Sequence, residues 1–147
     1  MPVNRWAAPA AIANLATTEL NSLANNARAE GVIFDNTVNR YLFADVELAV
    51  QFTVAPTSTG DLAIQLYMVP SIDGTNYADG GVNTAPGVES FVTNFVLKSS
   101  TNAQRIPALR IPLDPFKYKP IIVNLSGQAF PASGSTIRIV AFNFESV

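Results

Sequence analysis

Alternating apolar residues at 46–54 and 62–68 are the feature that most constrains the fold of this chain. In both stretches every second residue is apolar, and the residues between them are mostly polar or small. A period of two places all the apolar side chains on one face of a strand. The segment 55–61 between them contains Pro56 and Gly60, which interrupt strand pairing. The sequence therefore predicts two half-buried strands joined by a loop, as in a hairpin.

Further strand signals continue to the end of the sequence. Residues 89–98 carry apolar side chains on both faces, which predicts a central strand. Residues 104–115 contain Pro107 and Pro112, and proline within a strand predicts a sheet edge. Residues 118–125 and 136–144 also alternate. Seven or eight strands separated by turn residues predict an all-β fold, an antiparallel β-sandwich of jelly-roll type.

The first 31 residues lack the strand pattern of the rest of the chain. Residues 1–16 are small, apolar and interrupted by two prolines, and they predict an extended arm that carries the single tryptophan, Trp6. Residues 17–30 predict one short helix, because their apolar residues follow a 3.6-residue period and Gly31 suits its C-terminal end. We therefore expect an arm with a short helix at 1–31 and a β-sandwich domain at 32–147.

The composition limits the chemistry that the chain can perform. Its 147 residues contain no cysteine and no histidine, which excludes thiolate nucleophiles, His-based acid–base catalysis and Cys/His zinc sites. A formal net charge of −2 gives no electrostatic argument for a nucleic-acid partner. No apolar run approaches the roughly 20 residues of a membrane span. The acidic residues are scattered without a catalytic motif, so we expect no enzyme activity and no cofactor.

The loop 71–81 is the densest group of oxygen ligands. Asp73, Asn76 and Asp79 could bind a hard cation, but their spacing does not match an EF-hand. The alternative is that the pairs Asp73-Gly74 and Asp79-Gly80 are turns selected for positive φ. We favour the turn interpretation and expect no metal.

A second cluster is basic and aromatic. Arg105, Arg110, Lys117 and Lys119 fall within one segment that also contains Phe116 and Tyr118. Such a mixture occurs in proteins that bind single-stranded nucleic acid. A solvated sheet edge is the favoured interpretation, because charged residues on an edge also prevent aggregation. Contact with an acidic protein surface is a third possibility.

Four strings in the sequence are together similar to a known class of proteins. They are TELNSLAN at 18–25, YMVPSIDGTNYADG at 67–80, AQRI at 103–106 and GQAFPASGSTI at 127–137. With these strings the chain resembles small virion structural proteins of tailed bacteriophages, of the capsid decoration (cement) or auxiliary head type. The resemblance implies a jelly-roll-like sandwich and no catalytic residues.

The resemblance implies a function at the capsid exterior. We expect a cement protein that binds across major capsid protein subunits, assembles as a homodimer or homotrimer, and contacts neither nucleic acid nor membrane. The alternative is a carbohydrate-binding or adhesion module of a phage tail, which a flat row of Tyr67, Tyr77 and Tyr118 would favour. The expected protein-contact residues are Trp6, Ile12, Leu15, Asp73, Asn76, Tyr77, Asp79, Arg105, Arg110, Lys117 and Lys119.

Overall fold

The structure is a computed structural model that describes residues 2–57 and 61–146. Within those residues the chain forms strands and two 3₁₀ turns, at Thr18–Leu20 and Val88–Ser90. The strands are β1 Asn4–Trp6, β2 Ala13–Ala16, β3 Arg28–Glu30, β4 Phe34–Asp35, β5 Phe43–Val50, β6 Ala63–Ser71, β7 Phe91–Val96, β8 Gln104–Pro112, β9 Lys117–Leu125, β10 Thr136–Phe142 and β11 Phe144–Ser146.

Two antiparallel sheets enclose one core. The four-stranded sheet has the order β2-β10-β5-β8, and the five-stranded sheet has the order β3-β9-β6-β7 with β4 also paired to β9. Strands β1 and β11 form a separate two-stranded ribbon. The prediction of an all-β antiparallel sandwich is confirmed.

Within β5 and β6 the alternation places side chains as predicted, whereas Val54, at the end of the first stretch, lies beyond β5 and is exposed. Val46, Leu48, Ile64 and Leu66 are almost completely buried in the core cluster. Burying such a side chain stabilises the fold by about 1.5–3 kcal/mol relative to leaving it in water. These two strands therefore supply much of the apolar contact between the sheets.

The predicted hairpin between those strands is wrong. β5 pairs with β10 and β8, whereas β6 pairs with β9 and β7. The chain crosses from one sheet to the other after β5, because the two apolar faces are best buried when they meet across the core. Residues 58–60 of the predicted connecting loop lie outside the described residues.

The two edge predictions have opposite outcomes. β8, with its two prolines, is the outermost strand of its sheet, so that prediction is confirmed. β7 was predicted to be central, and this is wrong, because it is also an outermost strand. Its second apolar face, with Phe91 and Val96, is exposed rather than buried.

The helix predicted at 17–30 is also wrong. Only Thr18–Leu20 forms a 3₁₀ turn, and Arg28–Glu30 is strand β3. Ser22 and Asn26 have φ values of 54° and 63°, which no helix accommodates. Strands from both sides of the predicted boundary at residue 31 pair in the same sheets, β2 with β10 and β3 with β9.

A buried asparagine explains why this segment is not helical. Asn124 on β9 is fully buried. Its backbone N–H donates to the carbonyl of Ala27 at 3.0 Å, and its backbone carbonyl accepts the N–H of Asn26 at 2.7 Å. Its Nδ2 donates to the carbonyl of Leu23 at 2.9 Å. These bonds use backbone groups that a helix would need for itself. The segment is therefore bound to β9 through two successive turns that lead into β3.

Candidate interaction surfaces

Four aromatic residues form a cluster where the β1–β11 ribbon meets the end of the four-stranded sheet. We call Trp6, Phe43, Phe142 and Phe144 the aromatic cluster. The ring of Trp6 lies 4.1 Å from that of Phe144 and 5.0 Å, edge-on, from that of Phe142. Phe43 lies 5.4 Å from Phe144. Trp6 and Phe144 remain 50% and 46% exposed, so the cluster presents apolar surface to solvent.

Backbone pairing holds this ribbon in place. Trp6 is opposite Phe144, and Arg5 is opposite Glu145, with Arg5 Nε 2.6 Å from Glu145 Oε1. This ion pair is exposed and contributes about 0–1 kcal/mol. Ala7 N–H also donates to the Asn143 carbonyl at 2.8 Å. Segment 4–7 is thus paired along a strand, which orients the indole ring.

Sequence reasoning identified only one member of the aromatic cluster. Trp6 was predicted as a contact residue, but Phe43, Phe142 and Phe144 were not. The available signal was the spacing of Phe142 and Phe144, because residues two apart lie on the same face of an extended chain. Their position beside Trp6 depends on the β1–β11 pairing, which no local pattern predicts.

Two more predicted contact residues line a shallow depression on the outer face of the four-stranded sheet. Ile12 is 64% exposed and shares this depression with Arg105, Leu109 and Val140. Arg105 Nη1 lies 2.9 Å from Glu47 Oε1 on the neighbouring strand. The structure therefore brings Ile12 and Arg105 together.

The basic segment does not form one continuous patch. Arg105 and Arg110 lie on β8 in the four-stranded sheet, whereas Lys117 and Lys119 lie on β9 in the other sheet. Arg110 has a φ of 56°, and its N–H donates to Asp45 Oδ1 at 2.8 Å. The four charges are therefore divided between two faces of the sandwich.

The two lysines have separate neighbours. Lys119 Nζ lies 5.3 Å from the centroid of the Tyr77 ring, within the range of a cation–π contact. Lys117 pairs in register with Asp35. Hydrogen bonds from the side chain and backbone of Thr37 hold the pKa of Asp35 below its usual value, and the charge of Lys117 adds a smaller effect. The structure thus brings Tyr77 and Lys119 together on the five-stranded sheet.

The loop at 73–80 is built around the carboxylate of Asp73. Its Oδ1 accepts the N–H groups of Thr75 at 2.8 Å and Asn76 at 2.7 Å, and its Oδ2 accepts Asn76 Nδ2 at 2.8 Å. These bonds, first those from Asn76 and Thr75 N–H, hold the pKa of Asp73 far below its usual value. Gly74 and Gly80 have φ values of 77° and 145°.

The turn interpretation of this loop is confirmed, since Asp73 Oδ1 accepts the N–H of Thr75, two residues on, as in an Asx turn, and both glycines have positive φ. Asp79 precedes Gly80 in the same loop. In the described ranges 2–57 and 61–146, no three Asp, Glu, His or Cys side chains are grouped so that they could hold a metal ion. Those ranges also hold no helix with the length and hydropathy of a membrane span.

Two residues named in the sequence predictions point into the core. Leu15 is only 1% exposed, so its prediction as a contact residue is wrong: its side chain packs between the sheets. Tyr118 is buried too, so it cannot join Tyr67 and Tyr77 in an exposed row. Its neighbours Lys117 and Lys119 point outward because side chains alternate along β9.

The hydroxyl of Tyr118 has a structural role that can be tested. It accepts the N–H of Asp114 at 2.8 Å and donates to the Asp114 carbonyl at 3.3 Å. We expect Tyr118→Phe to lower the free energy of unfolding at pH 7 by about 1–3 kcal/mol, because the Asp114 N–H loses its partner in a partly buried site. Urea unfolding followed by circular dichroism measures this.

The pH dependence of that difference is a second readout. Burial raises the pKa of Tyr118 above its usual value. A raised pKa means that the stabilisation is fully present below pH ~10 and is lost as pH rises through the folded-state pKa. The gap between wild type and Tyr118→Phe should therefore narrow in alkaline solution, and a constant gap up to unfolding would contradict this role for the hydroxyl.

The similarities between this chain and known proteins are remote. No family model and no curated protein sequence matches the chain. A solved carbohydrate-binding module of the β-sandwich superfamily is 16% identical with a TM-score of 0.38; the match covers 98% of this chain and 56% of that one. The chain thus spans about half the length of that structure. Yersinia pseudotuberculosis-derived mitogen is 8% identical with a TM-score of 0.26, over 97% of this chain and 86% of that one.

Proposed function

We propose that this protein is a non-enzymatic virion structural protein, a capsid decoration protein that binds across neighbouring major capsid protein subunits. The observation that carries the proposal is the exposed aromatic cluster. Tryptophan and phenylalanine provide large apolar contact areas at a small cost in side-chain entropy, and they dominate the energetics of protein interfaces. An exposed group of them is an expected feature of a surface that binds another protein.

The rigidity of the aromatic cluster supports a protein contact. The ion pair of Arg5 and Glu145 joins the two strands of the ribbon on the face opposite the rings, because side chains alternate along a strand. The rings are also held by the ribbon and by Phe43 on β5, so that little order has to be gained on binding.

A rigid body suits the proposed mechanical role. A decoration protein that binds only the assembled lattice stabilises it by mass action, because disassembly must first release the bound protein. The two sheets share a core that includes residues of β2, β5, β6 and β10. Load applied at the aromatic cluster would thus be transmitted to both sheets.

A second candidate function is a carbohydrate-binding module of a tail or appendage. It is favoured by a specific pair, Tyr67 and Phe91, whose rings lie 5.4 Å apart on the outer face of the five-stranded sheet. Gln65 is close by, with Oε1 3.2 Å from the Tyr67 hydroxyl. Aromatic rings beside amide groups can stack on a sugar and bond to its hydroxyls.

Heating of virus particles tests the first candidate directly. Particles stripped of this protein are expected to release DNA at a lower temperature than decorated ones, and purified protein added back should restore the difference. Dye-accessible DNA during a temperature ramp gives the release temperature, and an unrelated β-sandwich protein serves as the add-back control.

Particle location separates the two candidates. Antibody label over the head shell supports decoration, whereas label at the tail tip supports the carbohydrate-binding module. Equal release temperatures for stripped and decorated particles would contradict the decoration proposal.

A further inference from the structure

The outer edge of β7 differs from the other sheet edges of this protein. Its six residues, FVTNFV, include no charge and no proline. β8 carries Pro107, Pro112, Arg105 and Arg110, which discourage pairing with another strand. The strands at the remaining sheet edges have two to four residues; they are β1, β2, β3, β4 and β11. β7 is thus longer than these short edge strands, and it has neither the prolines nor the charges that protect β8.

The backbone of β7 has hydrogen-bonding groups that face away from β6. Leu97, just after the strand, donates its N–H to the Leu62 carbonyl at 2.7 Å, on the side of β6. Since these groups alternate along an extended chain, those of Asn94, Val96 and Lys98 point the other way. Lys98 is capped by the Gln104 side chain, with bonds of 2.8 and 3.0 Å, and the Asn94 carbonyl accepts the Thr93 hydroxyl at 3.4 Å, which leaves the Asn94 N–H and both groups of Val96 for a further strand. In the described part of the chain, no strand pairs with β7 on that side.

The side chains at this edge are also unusually apolar. Val96 is 68% exposed, and Phe91 is exposed on the same outer face beside Tyr67. A strand placed along β7 would cover part of both side chains. An edge that offers apolar side chains together with unpaired backbone groups is one that adds a further strand.

The charges that flank β7 indicate which strand could pair with its free edge. Glu89 precedes the strand and Lys98 follows it; both are exposed, and neither forms an ion pair within the described ranges. If a second copy of the chain pairs antiparallel along this edge, Glu89 of one copy approaches Lys98 of the partner subunit. The two-fold axis repeats this contact at the other end. The edge is therefore self-complementary in charge, as an isologous interface requires.

We infer that β7 is the contact surface of a homodimer, in which two five-stranded sheets join edge to edge through antiparallel β7 strands centred near Asn94. The inference is independent of the proposed shell contact, because the aromatic cluster is built on other strands. A short edge contact buries little area, so we expect a dissociation constant on the order of micromolar.

Sedimentation equilibrium of the full chain tests the dimer. Wild type is expected to show a monomer–dimer equilibrium. Val96→Lys should raise the dissociation constant at least about tenfold, because it places a charge in the new strand pair. Val38→Lys is the matched control, since Val38 is an exposed valine in the turn after β4 and should leave the equilibrium unchanged. Circular dichroism verifies that both variants remain folded.

Charge reversal tests the antiparallel arrangement. Glu89→Lys and Lys98→Glu should each weaken the dimer, and the double variant should restore it. A wild-type chain that is monomeric up to about 200 µM would overturn the inference, given the expected affinity. So would a Val96→Lys variant that dimerises as well as Val38→Lys, or a double variant that is no tighter than the single ones.

Discussion

Asn124→Ala is expected to lower the free energy of unfolding by about 3–5 kcal/mol, since several buried polar groups would lose their partner at once. The side-chain Nδ2 donates to the carbonyls of Leu23 and Gln128 at 2.9 and 2.8 Å. Its Oδ1 accepts the N–H and the hydroxyl of Ser126 at 3.1 and 2.7 Å. Urea unfolding followed by far-UV circular dichroism measures the loss.

Two further variants define the cause. Asn124→Leu keeps most of the side-chain volume but not the hydrogen bonds, and it should be nearly as destabilising as Asn124→Ala. Asn102→Ala changes an exposed asparagine in the 99–103 turn and should alter stability by no more than about 0.5 kcal/mol. If Asn124→Leu is instead as stable as wild type, the site is held by packing and the hydrogen-bonding explanation is wrong.

Trp6→Ala is expected to weaken binding to the capsid shell at least about 30-fold, which corresponds to the loss of one interface hot spot. The fold should remain intact, because half of the Trp6 surface is exposed in the free protein and its loss leaves the sheets in place. Binding of the labelled variant to stripped particles, measured by co-sedimentation, gives the affinity. Circular dichroism shows whether the variant is folded.

Two controls distinguish the aromatic cluster from apolar surface in general. Trp6→Phe keeps an aromatic ring in the cluster and should recover much of the affinity. Ile72→Ala truncates an exposed apolar residue in the loop after β6, which contributes no ring to the aromatic cluster, and should bind like wild type. Wild-type affinity in Trp6→Ala, with the fold intact, would show that the shell contact lies elsewhere on the molecule.

The candidate surfaces were only partly predictable. Trp6 and Ile12 were found because large apolar residues in a polar or small-residue context are unusual, and both are exposed. Leu15 carries the same sequence signal but is buried in the core. What separates Leu15 from Ile12 is the pairing of β2 with β10, which turns one side chain inward and leaves the other exposed. A partner strand distant in sequence supplies that information.

The sequence by itself determined the strands of the core and the class of the fold. The alternation of β5 and β6, the two prolines of β8 and the turn chemistry of Asp73-Gly74 are local, because they depend on the preferences of neighbouring residues. Only the tertiary structure decided which strands pair and that β7 is an edge strand. It also decided that segment 17–30 is bound to Asn124 rather than helical, and that Trp6 packs against Phe142 and Phe144. The physical reason is that a period of two says which face of a strand is buried, whereas the partner of a strand is chosen by contacts between residues far apart in the chain.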